Sequence, residues 1–254
     1  MRMTQPYRAH VILNCDCGEG IGDDSAILPH VTAANIACGG HAGDEASMRT
    51  ALALCRRLGV SAGVHPGYPD RAGFGRRTLT MPPAELAASL RAQIQSLQRL
   101  ADQVGVALTH VKPHGALYNQ AARDIGLAEL IAGVIAEFGQ GWALIAPPDS
   151  ALARAGEAAG LRVLREGFAD RAYERDGTLR PRELPGALIT DPAQCAAQAL
   201  AMVLDGEVTA HDGTRLALAA DTICVHSDTS GAAERTAHLR RALAQAGVLC
   251  VGVR

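Results

Sequence analysis

The chain contains a single lysine, Lys112, among 24 basic residues; arginine supplies every other fixed cation. A position that keeps an ammonium in such a background is one where a guanidinium fails, because an ammonium is compact, meets an oxyanion as a point charge and can lose its proton when desolvated. Aromatic residues are scarce too, at 3% of 254 residues. There is no surplus of positive charge: the formal net charge is -2 and the arginines are scattered, which argues against a nucleic-acid partner. No apolar run is long enough to cross a bilayer, and residues 1–8 hold no apolar signal core, so a soluble cytoplasmic protein without a membrane partner is expected. Gly-x-Gly-x-x-Gly does not follow the first apolar run and no Walker loop occurs, which removes support for two common nucleotide-binding designs. The seven cysteines are odd in number and dispersed, as free thiols of a reducing compartment are. Cys15-Asp16-Cys17 lacks a second pair of matching spacing and reads as strand cysteines packed behind a site.

What is present is an alternation of apolar runs and helical patterns. With 48% hydrophobic residues the chain can bury an ample core, and no linker divides it, so a single domain over 1–254 is expected. Strands are expected near 10–15, 33–37, 61–65, 107–112, 142–146, 162–166 and 222–226, rich in the Val, Ile, Leu and Ala of strands covered on both faces. The clearest helix spans 82–104, where Leu86, Leu90, Ile94, Leu97, Leu100 and Val104 recur at spacings of three and four. Further helices are expected to open at Asp44, Asp149, Asp191-Pro192 and Ser230. This order predicts an α/β fold with a parallel sheet, and a (β/α) barrel of about seven strands is favoured over an open sheet. Asp212-Gly213 between two β-prone runs predicts a hairpin at 207–220 beside the barrel.

Polar residues collect where these strands end. Asn14, Asp16 and Glu19 follow the first strand; Asn35, Cys38, His41 and Asp44 the second; His65 the third; Lys112 and His114 the fourth; Glu166, Phe168 and Asp170 the sixth; His226 and Asp228 the seventh. Carboxyl ends of parallel strands are where α/β proteins assemble sites. Residues two apart share a strand face, which pairs Asn14 with Asp16, Lys112 with His114 and His226 with Asp228. The long loop after His65 carries Tyr68 and Arg76, and Arg76 is placed to hold a carboxylate or phosphate of a small anionic substrate.

Five segments together resemble the LamB/YcsF family: Leu13-Asn14-Cys15-Asp16-Cys17-Gly18-Glu19-Gly20, the stretch from Ala34 to Asp44, Val64-His65-Pro66-Gly67-Tyr68-Pro69-Asp70, the stretch from Val111 to Tyr118, and the stretch from Glu166 to Tyr173. They occur in order and cover nearly the whole chain from about residue 11. The resemblance implies an irregular seven-stranded barrel similar to the polysaccharide deacetylase-like superfamily. It also implies ATP-dependent, hydrolytic ring opening of 5-oxo-L-proline to L-glutamate, carried out with partner subunits B and C, with ATP and Mg2+ bound by this chain or by a partner.

For that reaction the candidate catalytic residues are Asp16, His65, Lys112, His114 and His226. Lys112 is expected to meet phosphate or oxyanion charge, Asp16 with His65 or His114 to activate water, and His226 or His41 to protonate the leaving nitrogen. Asn14, Glu19, Asn35, His41, Asp44, Tyr68, Arg76, Glu166, Asp170 and Asp228 are candidate substrate-binding residues. No metal is predicted, since no tight His-x-x-x-His pair is present, although Asp16, His41, His65 and His114 offer oxygen and nitrogen donors. Two alternatives stand beside this reading: a metal-dependent deacetylase or amidase acting on a small amide or carbohydrate, and a non-catalytic substrate-binding subunit.

Overall fold

The structure is a computed structural model that describes residues 9–138, 141–227, 229 and 231–253. Seven strands run parallel around a closed barrel: β1 (Ala9–Cys17), β2 (Ala33–Ala37), β3 (Ser61–His65), β4 (Leu108–Val111), β5 (Ala143–Ala146), β6 (Arg162–Phe168) and β9 (Thr222–Cys224). Closure is made by β9, which pairs with β6 on one side and with residues 12–14 of β1 on the other. The antiparallel hairpin of β7 (Glu207–Thr209) and β8 (Arg215–Ala217) turns at Asp212-Gly213 and stands apart from the barrel sheet. A short strand, β10 (Val248–Cys250), was not foreseen; its three residues pair with the start of β1, at positions 9–11.

The helices α1 (Asp24–Ile27), α2 (Glu45–Leu58), α3 (Pro83–Val104), α4 (Gly115–Ala121), α5 (Ile125–Ala136), α6 (Ala151–Ala158), α7 (Pro192–Leu200) and α8 (Ala232–Gln245) follow strands as crossovers. Two of the foreseen starts hold, because Asp44 and Asp191 each accept a backbone N–H of the first turn in α2 and α7. A third shifts by one residue. Ser150 caps α6, while Asp149 sits at a φ of 53° just before it. The fourth foreseen start, Ser230, lies outside the described residues.

Strand alternation sorts β1 into two faces. Leu13, Cys15 and Cys17 point outward into the apolar layer shared with the helices, and all seven cysteines are free. Ile12, Asn14 and Asp16 point into the barrel. The floor is apolar: Ile12, Ala33, Ala143, Ile145 and Leu164 pack against Val253, whose N–H donates to Ser61 Oγ at 3.0 Å. Above the floor lies a buried polar tier made by Asn14, Asn35, His110, Glu166 and Thr222.

The members of that tier bond to one another, while Glu166 Oε2 is left without a hydrogen-bond partner. Asn14 donates to Thr222 Oγ1 at 2.7 Å and to Glu166 Oε1 at 3.1 Å. Asn35 donates to Asn14 Oδ1 and to Asp16 Oδ1, both at 2.8 Å, and its own carbonyl oxygen lies 2.9 Å from His110 Nε2. The imidazole fits because β3 presents Gly63 beneath it; a Cβ at Gly63 would fall inside the His110 ring. Burial pushes the His110 imidazole down from 6.5 to about 3, so it is neutral and its Nε2 proton goes to Asn35.

Two outcomes follow for stability. Gly63→Ala is expected to cost about 1–3 kcal/mol by overpacking a ring that Asn35 holds in place, read as a lower urea midpoint; an unchanged midpoint would mean that the ring moves freely. The unfolded His110 takes a proton below pH 6.5, whereas the folded one waits until about 3, so its contribution is intact above 6.5 and is lost as pH falls. Replacing His110 by Gln should therefore flatten the unfolding free energy between about pH 6 and 4, by up to about 1.4 kcal/mol per pH unit. Chemical denaturation at several pH values measures that slope.

Candidate active site

The polar tier opens upward into a cavity of about 970 Å³ at the carboxyl ends of the strands. Asp16, Glu19, His65, Arg76, Lys112, His114, Glu166 and His226 line it. Lys112 follows β4 directly and reaches inward with 3% exposure. Its ammonium has three acceptors around it: Asp16 Oδ1 at 3.1 Å, Glu166 Oε1 at 3.0 Å and Cys224 Sγ at 3.1 Å. Two of these are hydrogen bonds, to Asp16 and Cys224, and the third is the ion pair with Glu166. Burial opposes the charge on Lys112, but Asp16 outweighs it, together with Cys224 and Glu166, and raises the ammonium well above its usual range. Burial likewise opposes ionisation of Asp16, and the neighbouring His65 and Lys112 outweigh it and hold the carboxyl well below its usual range.

His65 and His114 form a pair whose protons can be counted. His65 Nδ1 lies 2.7 Å from the Lys112 carbonyl oxygen, and His114 Nε2 lies 2.9 Å from that of Phe74. A carbonyl only accepts, so both of these ring nitrogens carry protons. The two remaining nitrogens, His65 Nε2 and His114 Nδ1, face each other at 2.9 Å. Two lone pairs at that distance need something positive between them, either a third proton shared by the rings or a cation. Carboxylates flank the spot, with Asp16 Oδ2 at 3.4 Å from His65 Nε2 and Glu19 Oε1 at 3.5 Å from His114 Nδ1. The ring of His41 stacks on that of His114 at 3.6 Å, and its Nε2 lies 3.2 Å from Glu19 Oε1. Gly75, at a φ of 62°, closes over this stack, where a Cβ would come within 2.7 Å of His41.

These four side chains also form a donor set. One ligand atom from each of Glu19, His41, His65 and His114 lies within 4.8 Å of the others, which fits a divalent cation even though the sequence spacing offered no tight histidine pair. Such an ion would act there as a Lewis acid on a carbonyl or phosphoryl oxygen. A second set joins Asp16, Cys224 and His226.

His226 is fixed by Asp170. The carboxylate accepts the His226 backbone N–H at 2.9 Å and, through its other oxygen, the ring Nδ1 proton at 2.9 Å. Nε2 is then the ring atom left toward the cavity, and the ring stacks near Phe168 at 5.7 Å. Burial opposes the Asp170 charge and His226 outweighs it, so Asp170 is held below its usual range. Carboxylate, oriented imidazole and cavity make an arrangement suited to proton transfer.

Several sequence candidates sit elsewhere. Asn14 and Asn35 belong to the buried tier beneath the cavity rather than to its wall. His41 and Asp170 back the lining histidines. Tyr68 is buried and donates to Gln120 Oε1 at 2.7 Å, away from the cavity wall. Asp44 is exposed and spent as the N-cap of α2, in a reciprocal capping box with Ser47, which corrects its reading as a substrate contact. Asp228 lies outside the described residues. Two residues escaped the sequence reading. Gln93, on α3, bonds both the N–H and the carbonyl of Gly67, at 3.0 and 2.9 Å, and steadies the loop after β3. Arg171 lines the cavity at 6% exposure, and its only sequence signal was its place in the motif after Glu166.

Comparison with known proteins identifies the family. The family model described as LamB/YcsF family matches residues 11–254. A relative from Chloroflexus aggregans, named as the A subunit of 5-oxoprolinase, is 57% identical over 241 residues, covering 93% of this chain and 96% of its own. Among solved structures, a lactam utilization protein from Thermus thermophilus superposes with a TM-score of 0.90 at 43% identity, covering 96% of this chain and all of its own. A peptidoglycan deacetylase from Bacillus subtilis, at 12% identity and a TM-score of 0.51 over 98% of this chain and 90% of its own, shares the fold alone. A family match that runs from the first barrel strand to the last residue, with near-complete coverage by a close relative, leaves one assignment: the chain belongs to the LamB/YcsF family.

Proposed function

We infer that this chain is the A subunit of a 5-oxoprolinase, a hydrolase that opens the lactam of 5-oxo-L-proline to L-glutamate. The observation that carries the reading is the 57% identity, over 93% of the chain, to a relative of that name. The cavity chemistry supports it. A lactam is an amide, weakly electrophilic and with a poor leaving group, so its hydrolysis needs an activated carbonyl, an activated water and a proton for the departing nitrogen.

In the reading offered here ATP activates the carbonyl oxygen by phosphorylation, with Mg2+ accompanying the nucleotide, and subunits B and C complete the enzyme in the cytoplasm. Water then adds to the activated carbon and the C–N bond breaks, leaving a glutamyl phosphate, which a second water hydrolyses to glutamate and phosphate. The Asp16–His65–His114 group takes the proton of water, since Asp16 is held ionised and faces His65 at 3.4 Å. His226 supplies the proton to nitrogen from Nε2, with Asp170 fixing its orientation. Lys112 donates to Asp16 and Cys224 and pairs with Glu166, so its part is to counter the buried carboxylates and aim them rather than to grip the substrate. Glu19, His41, His65 and His114 would hold a divalent cation if the enzyme uses one.

The reading is checked by glutamate release from 5-oxo-L-proline in the presence of ATP, with and without the partner subunits; release that needs no ATP and stops with a chelator would point to a deacetylase-type amidase instead. Lys112→Arg keeps the charge but brings a planar fork where three convergent acceptors surround a point charge. It should lower kcat by about 10²-fold or more with little change in KM, because the proton-transfer apparatus is displaced. Full turnover in a folded Lys112→Arg enzyme would remove Lys112 from the mechanism.

A further inference from the structure

Arg171 stands out among the charged groups of the cavity. It is 6% exposed, it lines the cavity, and no carboxylate among the described residues forms an ion pair with it. Its Nη2 donates to the Arg180 carbonyl oxygen at 2.6 Å, while its Nε is buried with no partner at all. A guanidinium cannot shed its charge as a lysine can, so a buried one without a counterion is costly unless something anionic joins it.

The surroundings sharpen this. Burial and Arg182 both work against the charge on Arg171, while Asp170 favours it, and both guanidiniums line the cavity. Asp16, Glu19 and Glu166 line it as well and would repel an anion, and the Lys112 ammonium is already surrounded by protein acceptors. The main chain at Arg171 is tied down as well. Arg171 bridges to Leu188, and Gln198 Nε2 donates to the Arg171 carbonyl oxygen at 2.8 Å as well as to that of Phe168 at 2.7 Å. A cation held this firmly, with its fork unfilled, is arranged before any ligand arrives. The cavity, at about 970 Å³, is also far larger than one small lactam requires.

We propose that Arg171, together with Arg182 of the same cavity lining, is a phosphate-binding site, made of side chains other than the carboxylates and imidazoles that act on the lactam. A phosphate suits two guanidiniums better than a carboxylate does, since it brings more than one negative charge and several oxygens to fill Nε and the remaining N–H groups. The phosphate has two possible sources, the nucleotide or the phosphorylated lactam, and their identity rests on the ATP-coupled reading above; the site itself rests on burial and missing partners.

Binding by the full-length chain tests it without recourse to turnover. Tripolyphosphate, inorganic phosphate, ATP and 5-oxo-L-proline are titrated calorimetrically into the wild type, Arg171→Gln, Arg171→Lys and Arg182→Gln, with thermal unfolding of each variant as the folding check. Arg171→Gln is expected to weaken phosphate-bearing ligands about tenfold or more, Arg171→Lys to weaken them less, and 5-oxo-L-proline to keep its affinity in both. Tripolyphosphate and ATP binding well ahead of inorganic phosphate would identify the nucleotide as the source; equal affinities would identify the single phosphate of the activated lactam. Should Arg171→Gln fail to fold, the same loss in Arg182→Gln carries the test. Wild type that binds none of the phosphates, or variants that lose 5-oxo-L-proline while keeping phosphate, would overturn the proposal. Since no step is catalytic, an enzyme that proves not to hydrolyse 5-oxo-L-proline leaves this result readable by itself.

Discussion

The interior of this barrel depends on one ammonium set between two carboxylates. Asp16 on β1 and Glu166 on β6 are buried, and Lys112 reaches both within 3.1 Å. Removing one partner of a buried ion pair typically costs about 3–5 kcal/mol because the other charge is stranded. The arrangement is more than a pair. Asn14 and Asn35 donate to the same two carboxylates, and His110 supports Asn35 from below, so the charge is spread over a connected set of hydrogen bonds. The lone lysine of the sequence is thus the one cation compact enough to stand at the meeting point of three strands.

The same set of bonds decides what the cavity can do. Because Lys112 is occupied with Asp16, Glu166 and Cys224, the reactive groups are carboxylates and imidazoles. His65 and His114 point two lone pairs at each other, and His226 is fixed by Asp170. Arg171 adds to the same cavity a buried guanidinium whose Nε is unfilled.

Much of this was legible in the sequence. Seven barrel strands, the long α3 and the hairpin turn at Asp212-Gly213 followed from periodicity and turn chemistry. Strand alternation correctly joined Asn14 to Asp16 on the inner face of β1. The misses have physical reasons. α5 carries one charged residue, Glu129, in Ile125–Ala136, so it shows no polar stripe, and α4 begins at a glycine without a capping side chain. β10 is three residues long and gains its meaning only by pairing with β1. Asp44 looked like a site residue because a short acid after a glycine-rich turn serves equally well as a helix cap. Arg171 could not be singled out from sequence, since what distinguishes it is the partner it lacks.

Gln93 offers to Gly67 what a neighbouring strand would: an acceptor for its N–H and a donor for its carbonyl. Mechanically, the glycine after His65 is continued into α3, a 22-residue helix anchored along the barrel by a row of buried leucines and Ile94. Any outward swing of the loop at this point must break both bonds together, so the backbone that follows His65 is held to α3 as firmly as a strand is held to its neighbour.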